Sequence, residues 1–358
     1  MEALSASAGL VSQRFRVESA SPQAIFEDMV ARGFTDGLPV LPPTEEAVRA
    51  MLEGAGLAPD TVLAEVAPDN VAVTAEKAAI NAVMAGCLPE HFPVVVAALK
   101  AVAEPEYNLL GVQTTTNPAT PVLVVNGPAR QRAQVHAGRG CMGPGWRANA
   151  TIGRALRLIL VNCGGAAAGD VDKATHGMPA KFTFCFAEAE EESPWAPLHV
   201  EHGLRAEQGA VAAFAGTGTT NVLAFYRSPE AILHVTADAM RCYGSNGYLR
   251  ERGNPLIVMT PGHARIFAAH GYDKARVQRE LFERAGILRA EVPVADFELT
   301  PVYQDYPPER RIAPCARAED IKIVVAGGDE AYHIVFIPAF AITTFQVAEV
   351  HFPNRSEP

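Results

Sequence analysis

Two short apolar runs constrain this chain's fold more than any other feature: Pro121-Val-Leu-Val-Val125 and Leu256-Ile-Val-Met259. Each is stopped at once, by Asn126-Gly127 and by Thr260-Pro261-Gly262. Unbroken apolar runs of this length, bounded by turn residues, are the pattern of strands buried on both faces. The two passages can be laid over one another, so that Gly127, Ala129 and Arg130 meet Gly262, Ala264 and Arg265. Each follows an Asn-Pro pair, and each leads on to a histidine and a glycine, His136 and Gly138 or His270 and Gly271. Self-similarity in fixed order predicts an α/β chain of two pseudo-repeated α/β units with largely parallel sheets, followed by a C-terminal strand group. The divisions fall at 1–69 for an N-terminal arm and helices, 70–210 for the first repeat, 211–290 for the second, and 291–358 for strands that complete a sheet.

Local signals place the elements between these runs. Helices are expected over 22–32, 45–54, 75–85, 89–102, 148–161 and 274–285. Thr44 and Thr74 are suited to cap the second and third, and Gly86 to end the third. Residues 1–20 read as a weakly ordered arm over the surface. Pro39, Pro42 and Pro43 hold the segment after Asp36-Gly37 extended, because each proline fixes φ and restricts its predecessor. Strands are expected at 181–187, 321–325, 332–337 and 344–350. In the first of these, alternation would put Phe182, Phe184 and Phe186 on one face and Lys181, Thr183, Cys185 and Ala187 on the other.

Composition narrows the class of function. The formal charge is −10, which argues against a nucleic-acid partner. No run of 18 apolar residues appears, so no membrane partner is expected, and the first residues lack the pattern of a secretory signal. Six cysteines at irregular spacing, without a Cys-x-x-Cys pair, read as reduced thiols in a cytoplasmic protein. The wealth of Ala, Val and Ile leaves room for a homo-oligomer interface.

Chemistry-bearing residues gather in one stretch, Gly138 to Trp195. It opens with Gly138-x-Gly140-x-x-Gly143, which matches a dinucleotide fingerprint letter for letter but stands far from the strand it should follow. A more general reading is an anion site, in which Gly140, Gly143, the helix start at Asn149 and Thr151, and the guanidinium groups of Arg147 and Arg154 hold a carboxylate or phosphate. Against it stands a plain tight turn. Asn126 and Thr116, at the two ends of the first apolar run, are candidates for the same ligand. Cys185, with Lys181 on its face, could be an activated thiol, and so could Cys87 at a helix start. Both could equally be packed core thiols. Glu188, which opens the run Glu188-Ala-Glu-Glu-Glu192, and Asp36 on its proline-stiffened arm are candidate acids or bases. His176, His199 and His202 form a rival constellation for a divalent metal such as zinc, although their spacing matches no zinc signature.

The segments Thr35-Asp-Gly-Leu-Pro-Val-Leu-Pro-Pro-Thr44, Ala79-Ile-Asn-Ala-Val-Met-Ala-Gly-Cys87, Arg147-Ala-Asn-Ala-Thr-Ile-Gly-Arg154, Lys181-Phe-Thr-Phe-Cys185 and Val325-Ala-Gly-Gly328 resemble a family of uncharacterised bacterial proteins. The resemblance spans most of the chain and implies no activity, though it favours a dedicated enzyme over a one-off binding protein. The expectation is an enzyme acting on a small anionic substrate at a cleft between two α/β halves, as a cysteine- and carboxylate-dependent hydrolase or lyase for C–S or C–N bonds, with no cofactor. The alternatives are a metal-dependent hydrolase and a non-catalytic ligand-binding subunit.

Overall fold

The structure, a computed structural model, describes residues 9–17, 19–242, 244–292 and 305–353. It is a mixed α/β fold. Its strands in chain order are β1 (Val62–Val66), β2 (Val71–Thr74), β3 (Thr120–Asn126), β4 (Cys185–Ala187), β5 (Gly209–Gly216), β6 (Thr220–Leu223), β7 (Leu256–Met259), β8 (Ile287–Leu288), β9 (Arg311–Ile312), β10 (Lys322–Val325), β11 (His333–Ile337) and β12 (Gln346–Val350). Helices begin where the sequence caps them. Thr44 accepts a bond from Ala47 N ahead of Glu45–Ala55, and Thr74 one from Lys77 N ahead of Ala75–Ala85, which ends on the left-handed Gly86. The expected helices at 22–32, 148–161 and 274–285 are the observed Pro22–Ala31, Arg147–Asn162 and Lys274–Ala285. The arm docks where the backbone N–H groups of Val11 and Ser12 donate to the Glu76 carboxylate, where Arg14 pairs with Glu45, and where Phe15 packs on Phe34. The first eight residues, and 293–304 and 354–358 in the C-terminal segment, lie outside the described part.

Two four-stranded sheets dominate, in the orders β12-β5-β3-β4 and β10-β7-β11-β6. The apolar runs of the sequence are the inner strands β3 and β7. Each has a parallel neighbour on one side, β4 or β10, and an antiparallel one on the other, β5 or β11. The outer strands β12 and β6 are again antiparallel to theirs. The sheets are therefore mixed rather than largely parallel, with one parallel pairing in each. The expectation failed because an unbroken apolar strand reports burial on both faces, and a second sheet can supply the second face as well as a crossover helix can.

That second face is visible in the core. Val122, Val124, Phe186, Ala212 and Phe214 of the first sheet pack against Leu256, Val258, Val324 and Ile337 of the second. The alternate residues Leu123, Val125, Cys185, Val211 and Ala213 meet the helices Ala75–Ala85, Phe92–Ala103 and Arg147–Asn162. On the far side, Ile257, Met259, Ile323 and Phe336 meet the helices Pro229–Met240 and Lys274–Ala285. The layers run helix, sheet, sheet, helix. Strands also cross between sheets. β6 follows β5 in the chain yet pairs with β11, and β12 follows β11 yet pairs with β5. The C-terminal strands thus contribute to both sheets.

The expected strand at 181–187 is shorter than its alternation suggests. Residues Pro179–Lys181 form a 3-10 turn and only Cys185–Ala187 pairs with β3. Phe182 is exposed, so the three phenylalanines do not share one buried face, and Lys181 shares no strand face with Cys185. Alternation alone could not reveal that the segment before Cys185 is pulled out of the sheet by the helix beside it. At Gly153 of that helix a Cβ would stand 2.6 Å from Thr183 Oγ1 and 2.8 Å from Phe184 N, so backbone replaces side chain at this contact.

Candidate active site

The helix Arg147–Asn162 carries the site. Its residues 154 and 157 lie on one face, one turn apart. Arg154 makes a two-pronged bond to Asp36, Nε to Oδ2 at 2.8 Å and Nη2 to Oδ1 at 2.8 Å, and also donates to the carbonyls of Leu38 and Pro39. The proline-stiffened arm is thereby fastened to the helix. Burial works to raise the Asp36 carboxyl, but the Arg154 hydrogen bonds and charge outweigh it and hold the group below its ordinary range.

One turn on, Arg157 Nη2 donates to Asp172 Oδ2 at 3.0 Å. Lys181 Nζ lies 2.9 Å from Asp172 Oδ1 and 2.7 Å from Oδ2. All three side chains are mostly buried, at 12%, 4% and 13% exposure for Arg157, Asp172 and Lys181. Burial also opposes ionisation of Asp172, and the bonds from Lys181 together with the two cations hold its pKa down. Burial pushes the Lys181 amine below its ordinary value against the pull of Asp172, and Arg157 pushes the same way.

This triad lines a cavity of about 640 Å³, with Asp36, His176 and Phe182 also on its wall. The volume is that of a small-molecule site. Its lining lies along residues 33–182, so it is not a cleft between the two halves. Sequence reasoning picked out Asp36, Lys181 and His176 but left Asp172 and Arg157 out of the site. The available signal was the i, i+3 spacing of Arg154 and Arg157 and the acidic residue nine positions before Lys181.

The glycine-rich loop does a different job. Gly138 bridges to Gly327, and Gly327 N donates to Ala137 O at 2.7 Å, so the loop is tied to the second sheet. A groove of about 280 Å³ runs between Gly140, Cys141 and Gly143 on one side and Thr260, Gly327 and His333 on the other. Asn149 is buried and locks the loop from below, accepting from His136 N and donating to the carbonyls of His136 and Cys141. Arg147 Nε donates to Gly86 O at the end of the helix Ala75–Ala85, and Thr151 Oγ1 to Arg147 O. Thr116 O accepts from Thr175 N. The side chains of Arg147, Asn149 and Thr151 are thus tied to backbone groups, and Arg154 is taken up by Asp36.

Both candidate thiols, Cys185 and Cys87, are buried. Cys185 and Cys87 lie in the core between the first sheet and its helices. Burial pushes the Cys87 thiol up to about 12, against its bond to Thr151 O and the charges of Arg147 and Arg154. Burial raises the Cys185 thiol as well, with no cation to offset it. An activated thiolate needs the opposite surroundings.

Glu188 is fully buried beside Asn126, whose Nδ2 donates to Glu188 Oε2 at 2.6 Å and to Glu190 Oε1 at 3.0 Å. Burial raises the Glu188 carboxyl, opposed by the Lys274 charge and the bonds from Leu198 N and Asn126. Among the described residues, Glu188 Oε1 and Asn126 Oδ1 have no hydrogen-bond partner, and His199 Nδ1 lies 3.8 Å from Glu190 Oε1. Arg130 holds the acidic run, pairing with Glu190 at 3.2 Å and Glu191 at 2.7 Å. So the run turns Glu188 and Glu190 inward and Glu191 outward. His199 sits in this cluster, the ring of His202 packs edge-on to Phe345, and His176 lines the large cavity. The three histidines do not meet, and among the described residues no group of three or more His, Cys, Asp or Glu side chains is gathered to hold a metal ion.

Among the described residues no helix is long and apolar enough to cross a membrane. No protein-family model matches the chain, and no curated protein sequence matches it significantly.

Proposed function

We propose that this chain is an enzyme of small anionic metabolites and that its substrate is held in the 640 Å³ cavity by Arg157 and Lys181. The observation that carries this reading is the convergence of two cations on the single carboxylate of Asp172 at the cavity wall. Burying charge is costly unless it is paired, and this group keeps one positive charge in excess. The neighbouring pair, Asp36 with Arg154, is self-neutralising. Among the described residues Arg157 gives one of its five donors to Asp172, which leaves the planar fork for a carboxylate.

With both candidate thiols in the core, proton transfer falls to Lys181 and Asp172. A lysine paired with a carboxylate suits a lyase acting on a C–N or C–S bond, where one group removes a proton and the other protonates the leaving atom. The six thiols are all free, which fits a reducing, cytoplasmic setting.

The duplication read from the sequence also belongs to this proposal. Three correspondences support it: the shared strand directions of the two sheets, the matching registers Val122↔Phe214 and Ile257↔Phe336, and the recurrence of the Arg130–Glu190 ion pair as Arg265–Asp329. Isothermal titration with a panel of small carboxylates tests the ligand reading. Arg157→Met or Lys181→Met should weaken binding by at least about tenfold, the scale of one charge-assisted bond of about 1.5 kcal/mol. Equal binding by wild type and both variants overturns it.

A further inference from the structure

We propose that Lys181 is a covalent catalyst and that the substrate class is a 2-oxo acid, whose carboxylate Arg157 holds while the Lys181 amine attacks the adjacent carbonyl carbon. This rests on the reading of the cavity as the substrate site. The geometry is specific. Arg157 Nη2 and Lys181 Nζ bond the same oxygen, Asp172 Oδ2, at 3.0 and 2.7 Å, so guanidinium and amine are immediate neighbours. A pair so close suits a molecule whose carboxylate and carbonyl are joined by a single bond. Asp172 touches the amine directly and is the base such an attack needs. The apolar wall, with Val161, Met178 and Phe182, would take the substrate's carbon chain.

The step balances without a redox partner. Asp172 takes a proton from the Lys181 ammonium, and the freed Nζ lone pair forms a bond to C2. The carbonyl oxygen gains a proton from Asp172 and becomes the hydroxyl of a carbinolamine. Asp172 then takes a proton from the attached nitrogen and passes it to the hydroxyl, which leaves as water as the nitrogen lone pair forms the protonated imine; water later hydrolyses this back to amine and carbonyl. Partial burial supports the neutral amine, because a half-dry pocket disfavours the ammonium.

The test is reductive trapping on the full chain. The protein is incubated with pyruvate and sodium borohydride, and modified residues are located by peptide mass spectrometry, with pyruvate affinity measured in parallel by titration. One reduced pyruvyl group on Lys181 is expected, lost in Lys181→Arg, which keeps the charge pair with Asp172, and reduced at least tenfold in yield in Arg157→Met. Pyruvate that binds without trapping at Lys181, or trapping only at the exposed Lys173, overturns the covalent role and leaves the anion site standing. Pyruvate that neither binds nor traps overturns this proposal, while binding of another carboxylate in the panel would keep the anion site. A Lys181→Arg protein that still traps at the wild-type yield overturns it too.

Discussion

Arg154 reaches across 118 positions to grip both carboxylate oxygens of Asp36, and through them it fixes the segment with Gly33, Thr35 and Asp36 that lines the cavity. The pair is mostly buried, at 14% and 5% side-chain exposure. Removing one member leaves the other charge without its partner. Asp36→Asn should therefore cost about 3 kcal/mol in urea unfolding, and Asp36→Asn with Arg154→Met should cost less than the single change. A double variant no more stable than Asp36→Asn contradicts this.

The same pair sets an acid limit. The Asp36 and Asp172 carboxyls both stand below their ordinary range, so their contribution to stability is fully present above the unfolded-state pKa and is lost as pH falls through the lower folded values. Wild type should lose melting temperature steeply below about pH 4, where model carboxylates titrate. Asp36→Asn should fall less steeply over the same range.

Glu188 has the opposite sign. Its raised folded pKa means that the native state binds a proton more tightly than the unfolded chain, so stability is lost as pH rises above the unfolded value. Glu188→Gln keeps an acceptor for Leu198 N and removes the charge. Thermal melts should place the variant at or above wild type at pH 8, with the gap closing toward pH 4. A variant much less stable than wild type at pH 8 would show that the carboxylate is ionised and held by partners.

Alkylation discriminates between core and reactive thiols. Iodoacetamide on folded protein at neutral pH should label the exposed Cys242 first and leave Cys87 and Cys185 unmodified until the chain unfolds. Rapid labelling of Cys185 in native protein would return it to the mechanism.

Gly153 couples packing to the site. A methyl there would strike Thr183 and Phe184, next to Lys181 in the chain. Gly153→Ala should destabilise by about 1–3 kcal/mol, the usual cost of overpacking, and weaken carboxylate binding as well. Unchanged binding would separate the helix contact from the position of Lys181.

Much of this architecture was legible in the sequence because it rests on local signals. Thr44, Thr74 and Gly86 mark helix ends through their own backbone bonds, and the runs in β3 and β7 mark buried strands. The mixed direction of the sheets was not legible, since an apolar run carries burial but no direction. Of the site, Asp36 stood out on its proline-stiffened arm, Lys181 as a neighbour of Cys185, and His176 as one of three histidines. Their organiser, Asp172, did not, because its partners Arg157 and Lys181 meet only once the segment after the helix folds back along it. Cys185 was read beside Lys181 for a related reason: alternation placed both on one strand, whereas the strand begins only at Cys185, after that lysine.

If Arg157 and Lys181 hold the substrate, as proposed, a crystal of the protein soaked with pyruvate should show it. Ligand density is expected in the large cavity, with carboxylate oxygens at hydrogen-bond distance from Arg157 and the C2 carbon at or bonded to Lys181 Nζ. Density in the groove between Gly140 and Gly327, with the large cavity empty at saturating pyruvate, would contradict it.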